Sequence, residues 1–262
     1  MNYESICRQA AKIARETGLF LKQNRSLHQP DITVKGKNDF VTNMDKLSEE
    51  IIVEQLAALL SEAGFIAEEG TRNVQMPVYN WIVDPIDGTT NFIHNINPYA
   101  ISIALKENDK IVVGVVYEIG RDECFFAWEN GGAWLNEQRI SVSHAPTVAE
   151  SLIATGFPYN NFSKMEGYMN SLKHLMQNCN GIRRLGSAAT DLAYVACGRF
   201  DGFYEYSLKS HDVAAGILLV HEAGGRITDF KGGNNYLFGG EIIASNYLIS
   251  KEFQEIIKTA FL

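Results

Sequence analysis

The 262 residues carry 23 Lys and Arg against 31 Asp and Glu, a net charge of −8, with 46% hydrophobic and 21% charged side chains. That composition belongs to a folded globular chain and excludes disorder, a collagen-like repeat and a small disulfide scaffold. The acidic balance argues against direct binding of nucleic acid or anionic membrane, and no apolar run reaches a membrane span.

The opening Met1-Asn2-Tyr3-Glu4 lacks the basic flank and apolar stretch of a secretion signal, so the expected location is cytoplasmic. The first predicted element is a helix: Ile6, Ala10, Ile13, Thr17, Phe20 and Leu21 recur at three- and four-residue steps and share one face. Gln29-Pro30 breaks the pattern. A second helix is predicted over 47–63, with Ile52, Leu56, Leu59, Leu60 and Ala63 as its stripe and Gly64 ending it. Strands follow at Phe65-Ile66-Ala67, at Trp81-Ile82-Val83, along the alternating Tyr99, Ile101, Ile103 and Leu105, and over 111–117. Asn108-Asp109-Lys110 reads as a hairpin connection, and 123–128 pairs with 133–135 across Gly131-Gly132. Beyond Pro146 strands alternate with helices. Strands are predicted at 152–154, 202–206 and 242–244, and helices at 164–176, 188–197, 211–223 and from Lys251 onward. The resulting organisation is an α+β part over 1–145 and an α/β part over 146–262, packed as one unit.

Cys7, Cys124, Cys179 and Cys197 form no C-x-x-C pair and no His/Cys cluster at zinc spacing, so four buried, inert thiols are expected. Cys179 is no phosphatase nucleophile, because Leu185 stands where a cysteine-phosphatase loop needs its arginine. The paired glycines at 232–233 and 239–240 lack the phosphate-binding pattern of a nucleotide P-loop.

The stretch Trp81-Ile82-Val83-Asp84-Pro85-Ile86-Asp87-Gly88-Thr89-Thr90-Asn91 carries the chemistry. An apolar strand runs into Asp84, and Pro85 is expected to stop it. Asp84, the carbonyl of Ile86, and Asp87 then offer three hard oxygen ligands in four residues, a set suited to Mg²⁺. Gly88 permits a turn, and Thr89-Thr90-Asn91 opens a helix whose free N–H groups cradle an anion. Cation ligands beside an anion cradle are the parts that phosphoryl transfer requires.

Asp84-Pro85-Ile86-Asp87-Gly88-Thr89-Thr90 resembles the signature of the inositol monophosphatase family, the Mg²⁺-dependent, lithium-sensitive phosphatases related to fructose-1,6-bisphosphatase. Further segments match in the same order: Asp39 to Asp45, Phe65 to Glu69, Arg184 to Ala189, and His211 to Gly216 followed by Glu222-Ala223-Gly224-Gly225. The resemblance spans nearly the whole chain and implies a layered αβαβα sandwich assembled as a homodimer. It implies two or three Mg²⁺ ions held by the carboxylates of Glu68, Asp84, Asp87 and Asp212 and the carbonyl of Ile86. Glu68 and Thr89 would polarise the attacking water, with Asp45 behind Thr89 and contributing to a further metal position. Gly88, Thr89 and Thr90 would hold the phosphate, while Gly186, Ser187, Ala188, Glu205 and Asp212 would contact the rest of the substrate. Lys35 resembles a lysine at the mouth of the site.

Physical chemistry runs the same way. Phosphate-monoester hydrolysis needs accelerations approaching ~10²¹, and carboxylates crowded in one pocket repel unless cations intervene. No haloacid-dehalogenase D-x-D is present to form a phosphoenzyme, so metal-activated water is the expected nucleophile. The implied reaction converts inositol monophosphate to inositol and phosphate. Fructose-1,6-bisphosphatase or 3′(2′),5′-bisphosphate nucleotidase specificity stays open. So does a binding role toward transcription or ribosomal RNA maturation machinery, because residues 186–196 resemble bacterial relatives with such partners. His211 stands where the family usually has Trp and is expected to be a tolerated replacement. His221 with Glu222 is expected to pack and cap, and Arg183-Arg184 to be a solvated pair.

Overall fold

Two β-sheets of opposite character organise the chain. The computed structural model describes residues 1–25, 32–36, 39–159 and 161–261, those at 32–36 and 39–41 by backbone alone. Gln29-Pro30 and the side chains of Lys35, Asp39 and Val41 lie outside the described residues.

Helix α1 (Tyr3–Arg25) leads to a short hairpin, β1 (Ile32–Gly36) and β2 (Asp39–Thr42), then to α2 (Asn43–Leu59). Strands β3 (Gly64–Ala67) and β4 (Tyr79–Asp87) follow, then α3 (Thr89–His94), β5 (Ala100–Glu107), β6 (Lys110–Glu118), β7 (Glu123–Trp128), β8 (Ala133–Leu135) and β9 (Gln138–Ile140). The second half runs through β10 (Leu152–Thr155), α4 (Met165–Asn178), β11 (Gly181–Arg183), α5 (Ala188–Ala196) and β12 (Gly202–Tyr206). It closes with α6 (Ser210–Glu222), β13 (Arg226–Thr228), β14 (Glu241–Ser245) and α7 (Ser250–Phe261).

Strands β3 to β9 form a seven-stranded sheet in sequence order, and a five-stranded sheet runs β11-β10-β12-β14-β13. Three hydrophobic clusters separate five layers. The first joins α1 and α2 to one face of the large sheet, the second packs α5 and α6 between the sheets, and the third sets α4 and α7 on the far face of the small sheet. The expected αβαβα sandwich is therefore the observed one.

The period-2 alternation of a strand decides which side chains face the seam. On β4, Trp81 and Val83 enter the first cluster while Ile82 enters the second, so Asp84 follows Ile82 toward the interior helices. On β12, Tyr204 and Tyr206 join the third cluster and Phe203 the second, which turns Glu205 the same way as Phe203. Helix α6 lies against β6 with almost nothing between them: a Cβ on Gly114 would stand 2.7 Å from the carbonyl oxygen of Ala215.

Two boundaries differ from expectation by more than an end residue or two. Helix α2 starts at Asn43 and ends at Leu59, because Thr42 closes a capping box with Asp45 ahead of the apolar stripe. Strand β4 continues through Pro85 to Asp87, since the ladder with β5 shifts register between Asp84 and Asp87, where no amide from Pro85 is needed. Cys7 and Cys124 are buried, but Cys179 and Cys197 are only half-buried; all four are free, and burial pushes every thiol up. No helix among the described residues is long and apolar enough to cross a membrane.

Candidate active site

The site lies where β4, α3, α5 and α6 converge. Strand β3 runs parallel to β4, and the Glu68 amide donates to the Val83 carbonyl at 3.2 Å, which brings Glu68 beside Asp84. Asp212 enters from the first turn of α6, its Oδ2 accepting from the Lys209 amide at 2.6 Å. One carboxylate oxygen each from Asp84, Asp87 and Asp212 lies within 4.8 Å of the other two.

Each group is positioned by a separate partner. Asp87 Oδ2 accepts from Ser187 Oγ at 2.6 Å and from the Ala189 amide at 2.7 Å, so the N-terminus of α5 grips it. Asp84 Oδ1 accepts from the Ile86 amide at 3.0 Å and stiffens the turn. Thr89 Oγ1 is 3.1 Å from Asp45 Oδ1 and 3.0 Å from the Ile86 carbonyl, within donating distance of either. Asp45 is aimed by its capping role, its Oδ2 taking the Thr42 amide at 2.8 Å and the Thr42 hydroxyl at 2.6 Å. Behind the Glu68 loop, buried Glu49 accepts the amides of Glu69 and Thr71 at 2.7 and 2.8 Å. Asn91 spans the seam by donating to the carbonyls of Pro98 and Leu185, both at 2.8 Å.

Burial and like charge dominate the electrostatics. Burial first, then Glu68, Asp87 and Asp212, hold Asp84 well above the carboxylate range. Asp87 is pushed up to about 7 by burial and then by Asp212, against the hydrogen bonds from Ser187 and Ala189. Burial lifts Asp45 to about 6 against the bonds from Thr42. Glu205 is raised by burial and by Asp212, with Arg184 opposing. Clustered, desolvated carboxylates of this kind are neutralised by protons or by a cation, and a donor set of hard oxygens fits a divalent ion.

Among the residues whose side chains are described, every site residue expected from the sequence lines this one cleft except Asp45, which is buried behind Thr89. Gly88 caps α3 in the left-handed conformation, as the turn required. The Ile86 carbonyl faces the Thr89 hydroxyl. Glu222 accepts the amides of Asn130 and Gly132, both at 2.8 Å, so it ties down the turn between β7 and β8 rather than capping a helix. Arg184 is a correction. It is no solvated surface cation but part of the cleft wall, its guanidinium over the rings of Phe157 and Tyr159 at 5.2 and 5.5 Å. Phe157 and Tyr159 belong to no motif in the sequence, while Asp191, part of the 186–196 resemblance, is buried in the first turn of α5. The one local signal was the position of Arg184 immediately before the Leu185-Gly186-Ser187 turn.

The sequence model of the inositol monophosphatase family matches residues 2–261. An inositol-1-monophosphatase of Rhizobium meliloti is 43% identical over 228 residues, 87% of this chain and 86% of that protein. Nus factor SuhB of Salmonella typhimurium is 42% identical over 246 residues, covering 92% of this chain and 91% of the relative. Among solved structures, the extragenic suppressor protein suhB from Bartonella henselae superimposes with a TM-score of 0.92 at 39% identity. It covers 97% of this chain and 98% of its own.

Proposed function

The chain belongs to the inositol monophosphatase family, and from that premise we propose that it hydrolyses inositol monophosphate to inositol and phosphate. The observation that carries this reading is the Asp84, Asp87 and Asp212 cluster set beside the Thr89–Asp45 hydrogen bond in one cleft. Glu68, Asp84, Asp87, Asp212 and the carbonyl of Ile86 would hold two or three Mg²⁺ ions. When bound, Mg²⁺ supplies Lewis acidity to the transferring phosphoryl group and acidifies water.

The protein's own groups do the positioning. With its hydrogen directed to Asp45, the Thr89 hydroxyl accepts from the attacking water and orients it. Asp45, lifted to about 6, takes up a proton through Thr89. Glu68 shares in activating that water. The amides at Gly88, Thr89 and Thr90 hold the phosphate. Gly186, Ser187, Ala188, Glu205 and Asp212 contact the inositol, with Arg184, Phe157 and Tyr159 forming the outer wall. Residues 1–145 supply most cation ligands, and 146–262 the substrate contacts and the last ligand.

Lithium sensitivity, a homodimer and a cytoplasmic location complete the proposal. The relatives named Nus factor SuhB support a second, compatible role as a partner of the transcription machinery. The deciding experiment is phosphate release from inositol 1-phosphate with Mg²⁺, with and without lithium, beside D87N. Fructose 1,6-bisphosphate and a 3′,5′-bisphosphate nucleotide are assayed in parallel. Lithium-suppressed turnover that D87N reduces by at least ~10² supports the reading, the scale seen when one transition-state contact is removed. A folded, Mg²⁺-binding chain inactive on all three substrates overturns it and leaves the partner role leading.

A further inference from the structure

One member of the acidic cluster's surroundings is a nitrogen donor. A ring nitrogen of His211 and one carboxylate oxygen each of Glu68 and Asp84 lie within 4.8 Å of one another. The imidazole is nine-tenths buried, and its Nε2 stands 3.5 Å from Asp212 Oδ1. The backbone holding it is fixed. The His211 carbonyl accepts from Ser102 Oγ at 3.1 Å, and Ser102 faces Asp84 across the β4–β5 ladder. Ligands about 2.1 Å from a shared cation lie roughly 3 to 4.2 Å apart, so these three atoms stand within about 0.6 Å of the spacing that one ion requires.

We propose that Glu68, Asp84 and His211 form a mixed nitrogen–oxygen cation position that favours a first-row transition-metal ion such as Co²⁺ or Zn²⁺ over Mg²⁺. The proposal rests on the metal-dependent reading of the same cleft and adds a preference to it. Mg²⁺ prefers oxygen ligands and keeps its waters, whereas imidazole nitrogen strengthens binding of the later divalent ions, in the order Mn²⁺ < Co²⁺ < Ni²⁺. Swapping an oxygen or a water for this imidazole therefore raises affinity for Co²⁺ or Zn²⁺ while leaving Mg²⁺ affinity little changed. The site thus distinguishes ions through one residue, His211, next to a group of carboxylates that binds them all.

The test uses Co²⁺ as the probe on the full chain. Proton NMR of the Co²⁺-loaded protein is expected to show a strongly shifted, solvent-exchangeable ring N–H resonance, the mark of a ligated imidazole. H211Q is expected to lose that resonance, and calorimetry is expected to show its Co²⁺-over-Mg²⁺ affinity ratio falling ~10- to 100-fold. If Co²⁺ binds the wild type stoichiometrically and no such resonance appears, His211 only pairs with Asp212 and the proposal is overturned, whether or not H211Q folds. An unchanged affinity ratio in folded H211Q overturns it too. If neither Mg²⁺ nor Co²⁺ binds the wild type, the metal-dependent phosphatase reading itself falls, a result distinct from the other two.

Discussion

Replacing Asp191 by asparagine tests the electrostatic account of the interior. Asp191 is 1% exposed, and neither carboxylate oxygen has a hydrogen-bond partner among the described residues. Burial first, then Glu205 and Asp87, hold its carboxyl well above the ordinary 3.8, with Arg184 opposing. The folded chain therefore keeps a proton that the unfolded chain releases near pH 4. Stability drawn from this group is fully present below that pH and is lost as pH rises through the folded value. D191N keeps the shape without the charge, so variant and wild type converge in acid and the variant leads at pH 8. Both side chains are left without partners, so the charge alone separates them: each pH unit climbed between the unfolded and the folded pKa costs the wild type about 1.4 kcal/mol, or about 1–3 kcal/mol over about one to two pH units. With an unfolding entropy of ~2.1 cal/mol/K per residue, a chain of this length gains roughly 2–5 °C in Tm from that difference. Thermal unfolding followed by circular dichroism at pH 5, 6.5 and 8, with chelator present, measures it. A gap between the two proteins that stays constant across this range refutes the reasoning.

Three further outcomes follow from the geometry. S187A removes the 2.6 Å bond to Asp87 and is expected to weaken Mg²⁺ binding ~10- to 100-fold by calorimetry, as loss of a ligand's outer partner does. G156A places a Cβ 1.9–2.1 Å from the carboxylate atoms of Glu205. Pushing Glu205 aside is expected to raise KM for inositol 1-phosphate ~10-fold with kcat little changed, the pattern of lost uniform binding; phosphate-release kinetics check it. N91A abandons the buried carbonyl of Pro98 and the half-buried carbonyl of Leu185 and is expected to cost about 2–3 kcal/mol, read as a lower midpoint in urea.

What could be read in the sequence was what is local. The alternation around Trp81, Ile82 and Val83 is enough to turn Asp84 inward, and Asp84, Ile86 and Asp87 are neighbours before any folding occurs. The helices announced themselves through their apolar stripes. The start of α2 did not, because its capping box lies ahead of the stripe, and Pro85 misled because a register shift accommodates it. Distant encounters left no local trace. Arg184 becomes part of the cleft only when it lies over Phe157 and Tyr159 from a loop more than twenty residues earlier, and His211 meets Glu68 only once the two sheets have closed on α6.

The close seating of α6 on β6 has a mechanical consequence. Helix and strand meet at Gly114 and Ala215 backbone to backbone, without a flexible side chain as a cushion. Asp212 rides on that helix, so its position is indexed to a hard stop in the way a machined part is located by a datum face. Side-chain packing allows rotamers to exchange; a peptide resting on a strand has no such play. The Cα that carries the Asp212 carboxylate is then located as firmly as the main chain itself, and the Lys209 amide holds the carboxylate in turn.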